Sequence, residues 1–138
     1  VVYFLSLGLV FGAHIAAGVP GVLMVLLIGV LAGTGFCALG VMIALRARNA
    51  STVQGIFPLV FVALFISSAF FPRKLLSHPA DWVAAYNPLS YVADGIRDPI
   101  ISSITASTVL EGLAAAVAIA AAGIAPSGIA LRGRLRAA

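Results

Sequence analysis

Apolar and polar positions fall into long blocks along this chain. No Asp, Glu, Lys or Arg occurs from Val1 to Leu45, and the block closes on Arg46-Ala47-Arg48-Asn49. A second apolar run covers Val53–Phe71 and stops at Pro72-Arg73-Lys74. A third runs from Val109 to Leu131 and stops at Arg132, Arg134 and Arg136. Membrane strands alternate apolar and polar residues over about 10 positions. These runs do not alternate, so they predict helices. One crossing takes about 20 residues, because a helix rises about 1.5 Å per residue and the hydrocarbon core is about 30 Å thick. The opening block is too long for one crossing and must turn once, with the turn predicted at Ala16-Ala17-Gly18-Val19-Pro20-Gly21. The pattern therefore predicts spans over 1–15, 22–45, 53–71 and 109–131, and a short tail over 132–138.

Composition sharpens the class. Apolar residues make up 62% of the 138 and charged residues 9%, with a mean hydropathy of +1.18. Soluble domains carry about 25% charged residues. A soluble enzyme, a nucleic-acid-binding domain and a disordered chain are excluded. What remains is an all-α integral membrane protein, its residues 1–138 forming a single transmembrane domain. Cys37 is the single cysteine and cannot form an intrachain disulfide. Val1 opens inside an apolar run, with neither Met nor a basic leader before it, and reads as a cut inside a larger protein.

Charge sets the expected orientation. Arg46, Arg48, Arg132, Arg134 and Arg136 lie at span ends separated by two crossings, hence on one side. Arg73, Lys74 and Arg97 lie on the other. Basic residues favour the cytoplasmic side of short loops, so the larger group is expected there. Asn49-Ala50-Ser51 matches a glycosylation sequon, but its arginine neighbours make it a chance match in a cytoplasmic turn.

Residues 72–107 do not fit a plain bundle, being too polar to span and too apolar for a free loop. Trp82, Tyr86 and Tyr91 are aromatics of the kind enriched at membrane–water boundaries. Pro79 suits the first turn of a short helix. Asn87-Pro88 breaks it and starts another, with Asn87 as N-cap and Pro88 at the first position. Leu89, Val92, Ala93 and Ile96 then share one apolar face, and Ser90, Asp94 and Arg97 take the other. Asp94 and Arg97, three apart, can pair. The expected element is a pair of helices over 79–97, each about ten residues at most, dipping into the outer leaflet or lying on it.

These residues carry a resemblance. The stretch Arg48-Asn49, Phe57-Pro58, Phe65-Ile66-Ser67-Ser68-Ala69-Phe70-Phe71-Pro72, Trp82, Asn87-Pro88-Leu89-Ser90-Tyr91 and Asp94-Gly95-Ile96-Arg97 resembles the C-terminal half of type-2 ATP-binding-cassette exporter permeases. Within that superfamily it is most similar to the daunorubicin-resistance drug-export permeases. The resemblance implies a six-helix subunit in the cell membrane, of which this chain supplies spans three to six, with the helix pair on the outer face. It implies a cytoplasmic basic linker at Arg46, Arg48 and Asn49. Its implied partners are a separate ATPase subunit that carries ATP and Mg, the lipid bilayer and a second permease half, with a homodimer expected.

The chain holds no phosphate-binding loop, and its one lysine, Lys74, lies in a loop. No cofactor, metal site or nucleic-acid partner is expected, and no acid, base or nucleophile set marks an enzyme. His14 and Glu111 are expected at interfaces, in contact with water. Phe57, Phe61 and Phe65 repeat at i, i+4 and i+8, and Ser68 continues the stripe. Resemblance implies that this stripe lines the path between two permease halves; helix packing or lipid contact is its structural alternative. Gly8-x-x-x-Gly12 and Gly29-x-x-x-Gly33 permit close helix approach. Pro58 and Pro126 should break the local backbone ladder. The expected function is outward movement of drugs or lipid-like compounds by alternating access. The rival readings are an assembly or anchor protein without transport, and an ion- or proton-coupled carrier.

Overall fold

The computed structural model describes residues 2–47, 50–67, 69, 78, 80–102 and 104–137, with the side chains at 50, 52, 53, 56, 57, 59, 80, 81 and 134–137 outside that description. Every regular element among them is a helix: α1 (Val2–Val10), α2 (Gly18–Arg46), α3 (Ala50–Phe65), α4 (Ala80–Tyr86), α5 (Pro88–Ile101) and α6 (Ala106–Ala137). The 29 residues of α2 and the 32 of α6 extend about 43 and 48 Å, enough to cross a bilayer. Both are apolar enough to do so. The described residues are all-α, with α2 and α6 fit to span a membrane.

The first turn falls earlier than the pattern predicts. Gly12 has φ of 88°, the left-handed region that glycine enters without steric cost. Its N–H donates to Leu9 O at 3.1 Å, and Ala13 N–H donates to Gly8 O at 2.9 Å. These two bonds are the paired closure of a Schellman motif, so α1 ends at Val10. The expected span over 1–15 is thus a nine-residue helix followed by a turn at 11–17. Pro20 sits in the first turn of α2 rather than between helices. Exposed Phe11 and His14 lie in the turn.

Helix α3 likewise stops short, at Phe65 instead of Phe71. The Ser67 hydroxyl donates to Leu64 O at 2.7 Å and accepts from Ala69 N–H at 3.2 Å, diverting backbone groups that a longer helix would use. Helices α3 and α6 continue through Pro58 and Pro126, each of which leaves one ladder hydrogen bond unmade for want of an N–H. Residues 132–137, expected as a tail, continue α6.

The core belongs to three helices. Ile28 and Ala32 of α2, Val92 of α5, and Val109, Ala116 and Ile119 of α6 form one buried apolar cluster. Contact along α2 and α6 rises together, from Ile28 near Gly95 and Gly112 to Gly35 against Ile119, Ala120 and Gly123. The two long helices therefore run parallel, and Arg46 and Arg132 lie at the same end. Helix α5 runs antiparallel to α6 beside them.

The glycines at these close crossings are Gly35, Gly95, Gly112 and Gly123, none of them in a GxxxG match. A Cβ on Gly123 would overlap the carbonyl oxygen of Gly35. A Cβ on Gly112 would lie 2.8 Å from Gly95 Cα and 2.9 Å from Tyr91 O. Gly33 has open space around it, and Gly12 serves the turn. Close approach selects glycine where two particular backbones cross, and that register is a tertiary property.

Candidate functional site

Three helix ends meet where Asn87 and Pro88 join α4 to α5. The residue before a proline is pushed out of the helical region, and Asn87 has φ −83° and ψ 116°. Its side-chain oxygen then accepts from Leu89 N–H at 3.0 Å, capping α5. Pro88 occupies the first turn, where no N–H is needed. The other half of the same amide faces away: Asn87 Nδ2 donates to Ala63 O at 2.8 Å. That carbonyl is among the last four of α3, which have no partner inside their own helix. One side chain thus caps the start of α5 and the end of α3.

Tyr91 closes the third end. Its hydroxyl donates to Ala85 O at 2.8 Å, taking up a terminal carbonyl of α4. Ala84 of α4 is fully buried, as are Ser67 just beyond α3 and Ser90 on α5. Ser90 was expected on a wet polar face with Asp94 and Arg97. It is instead fully buried, and its N–H donates to Asn87 O at 2.9 Å in the first turn of α5.

Arg97 extends the junction. Its Nη1 meets Asp94 Oδ1 at 3.3 Å, and both side chains are a little over one-quarter exposed. Its Nη2 donates to Ala69 O at 3.2 Å, just past α3. The ion pair by itself is worth little at this exposure. Its role is geometric: the carboxylate holds the guanidinium so that one edge reaches back across to the α3 end.

The junction lies deep along the bundle. Gly95 meets Gly112 six residues into α6, and Pro88 lies a further seven residues along antiparallel α5. At 1.5 Å per residue, Pro88 stands about 20 Å from the start of α6. Helix α5 has 14 residues, longer than the ten expected, and the pair extends to Ile101 rather than Arg97.

At the opposite end of α5, Asp98 carries a second junction absent from the sequence-based expectation. Its Oδ2 accepts from Thr105 N–H at 2.7 Å, and Oδ1 accepts from the hydroxyls of Ser102 at 3.0 Å and Thr105 at 3.3 Å. Ala16 N–H and Ala17 N–H donate to Ile100 O and Pro99 O, both at 3.1 Å. The end of α5, the entry to α6 and the approach to α2 are joined there. The signal in the sequence was an acidic residue followed at i+4 and i+7 by Ser102 and Thr105, immediately before an apolar helix.

The aromatic stripe is present in part. The Phe61 and Phe65 rings lie 5.6 Å apart at 39°, and both are about half-exposed. The Phe57 side chain and Ser68 lie outside the described residues. Trp82 and Tyr86 form an edge-to-face pair at 5.1 Å on α4 and are largely exposed. Arg46 ends α2, while Arg48 and Asn49 of the basic linker lie outside the described residues, as does Pro79. Glu111 is exposed near the start of α6. Between α1 and α5 lies a cleft of about 180 Å³ lined by Phe4, Leu5, Leu9, Ala13, Ile15 and Ile100, wholly apolar in chemistry. No group of three or more His, Cys, Asp or Glu among the described residues stands ready to hold a metal ion.

Two long apolar helices, with a broken helix pair between them, are the frame of a membrane component. The family model for ABC-2 type transporters matches residues 1–101, from α1 to the end of α5. Neither a curated protein nor a solved structure matches alongside it. The family supplies the membrane permease of an ATP-binding-cassette transporter and works with a separate ATPase subunit. The match covers most of the chain, including every residue of the Asn87 junction, and the chain belongs to the ABC-2 type transporter family.

Proposed function

We propose that this permease component exports drugs or other amphipathic, lipid-like compounds by alternating access. Two permease halves, each a copy of the full-length chain, enclose a path across the cell membrane. Their arginine-tipped helix ends face the cytoplasm, where the ATPase subunit binds ATP and Mg. ATP binding closes the inner side and opens the outer one. The helix pair α4–α5 forms part of the outer gate, and half-exposed Phe61 and Phe65 offer flat apolar surfaces to a substrate.

The observation that carries this reading is the junction at Asn87. Broken backbone about 20 Å along a spanning helix is tolerated in lipid only where protein or a water-lined cavity covers it. A passive anchor has no use for such a break. A gate has, because short capped helices can part at their ends without unwinding. A coupled carrier would place ionisable groups at the centres of its spans, and neither α2 nor α6 does so.

The test is reconstitution of the full-length chain with its ATPase subunit in liposomes. Amphipathic compounds from a drug and lipid panel should raise ATP hydrolysis and move outward. An ATPase indifferent to every compound, with no movement of any, refutes the reading.

A further inference from the structure

We propose that α3 moves as a lever against a rigid block of α2, α5 and α6, and that Asn87 and Arg97 are its catch. The proposal rests on the transport reading above and adds which helix moves and what holds it at rest.

The block is cemented at three levels. Its backbones cross so closely at Gly35–Gly123 and Gly95–Gly112 that no Cβ fits between them. Its buried apolar cluster draws on α2, α5 and α6, with no described residue of α3. Asp98 and the Pro99 and Ile100 carbonyls join all three helices at one end. Close-packed interiors of this kind do not deform continuously.

Helix α3 is attached differently. Its described side chains are exposed or half-buried along the whole helix. Its links to the block include a small patch of contact with α2 and, at and just beyond its C-terminal end, hydrogen bonds to backbone carbonyls, from Asn87 Nδ2 to Ala63 O and from Arg97 Nη2 to Ala69 O. Such bonds exchange for water or for another carbonyl at little net cost. Tyr91, Leu89 and Asp94 keep the block's side of the joint in shape when the catch opens, because each bonds within α4–α5. Asn87 suits the task as no carboxylate would, since it must donate to α3 while accepting from α5.

The test uses the full-length permease with its ATPase subunit in native membranes, with exposed Cys37 replaced by Ala. One variant carries Ala69→Cys and Ala93→Cys, the latter one turn before Arg97 on α5, so that Asn87 and Arg97 both stay in place. A control carries Ala17→Cys and Ile100→Cys within the block. A cleavable bifunctional thiol reagent reports proximity, with and without nucleotide trapped by vanadate. Trapping should lower the catch pair's cross-linking about tenfold, the shift expected from losing roughly 1.4 kcal/mol of contact, and leave the control pair unchanged. A second measurement needs no cysteine at the catch: Asn87→Asp should raise ATP hydrolysis in the absence of compound, and Asn87→Gln should restore part of the resting level. If trapping changes both pairs equally or neither, while compounds still stimulate the unmodified complex, the lever is overturned and the export reading stands. If the unmodified complex responds to no compound, the export reading falls and takes the lever with it.

Discussion

The packing at Gly123 yields a prediction whose sign is decided by two opposed terms. A methyl group there would overlap Gly35 O and lie 3.1 Å from Ala38 Cβ, inside the 3.4 Å at which ordinary contact begins. The obstacle is backbone, so α2 and α6 must part along their contact. Overpacking of this kind costs about 1–3 kcal/mol. Against it, alanine gains about 1 kcal/mol over glycine in a helix interior. Because the overlap is with backbone rather than with a flexible side chain, the upper figure applies, and Gly123→Ala should destabilise the fold by about 2 kcal/mol. Gly128, five residues further along the same helix, has nothing within 4 Å of the corresponding Cβ. There the propensity gain stands alone, and Gly128→Ala should be neutral or stabilising by up to about 1 kcal/mol. The two variants are chemically identical and differ only in what the methyl meets. Heating the detergent-solubilised full-length protein and following loss of its monodisperse elution peak should separate the midpoints by about 5–10 °C. Equal midpoints, or a lower one for Gly128→Ala, would refute the glycine crossing.

Three further outcomes follow from the junctions. Asp98→Ala should lower the thermal midpoint by an amount matching loss of a helix cap, about 1 kcal/mol, and Asp98→Asn should recover part of it because one acceptor oxygen survives; the same elution assay reads both. Tyr91→Phe removes the hydroxyl from Ala85 O but keeps the ring, so it should cost about 1 kcal/mol and leave the elution profile at low temperature unchanged. Phe61→Ala should reduce transport of flat aromatic compounds more than that of aliphatic ones, with unchanged protein level; equal effects on both would assign the ring to lipid or helix contact.

What could be read from the residues alone was whatever depends on local spacing. Apolar runs predicted the long helices because bilayer thickness sets their length. Asn87-Pro88 predicted a capped helix start because both effects act within three residues. The carbonyls on Ala63 and Ala69 that receive Asn87 and Arg97 were invisible, since every residue has a carbonyl and only the fold selects among them. The same reason hid Gly35, Gly95, Gly112 and Gly123 among fourteen glycines. Gly12 was misread as half of a packing motif, although a glycine following an apolar helical run is also the signature of a helix stop. Ser90 shares a helix face with charged Asp94 and Arg97 yet is fully buried, because the surface that covers it is set by the fold and not by spacing.

Parallel α2 and α6 impose an order on biogenesis. The stripe on α2 that includes Val25, Ile28, Ala32 and Gly35 is completed by residues that the ribosome makes much later, up to Gly123. At roughly 5–20 residues per second, α2 waits on the order of 4–18 s for its neighbour. During that interval this stripe faces lipid or an insertion chaperone, and a nascent chain released before Gly123 has no final partner for it.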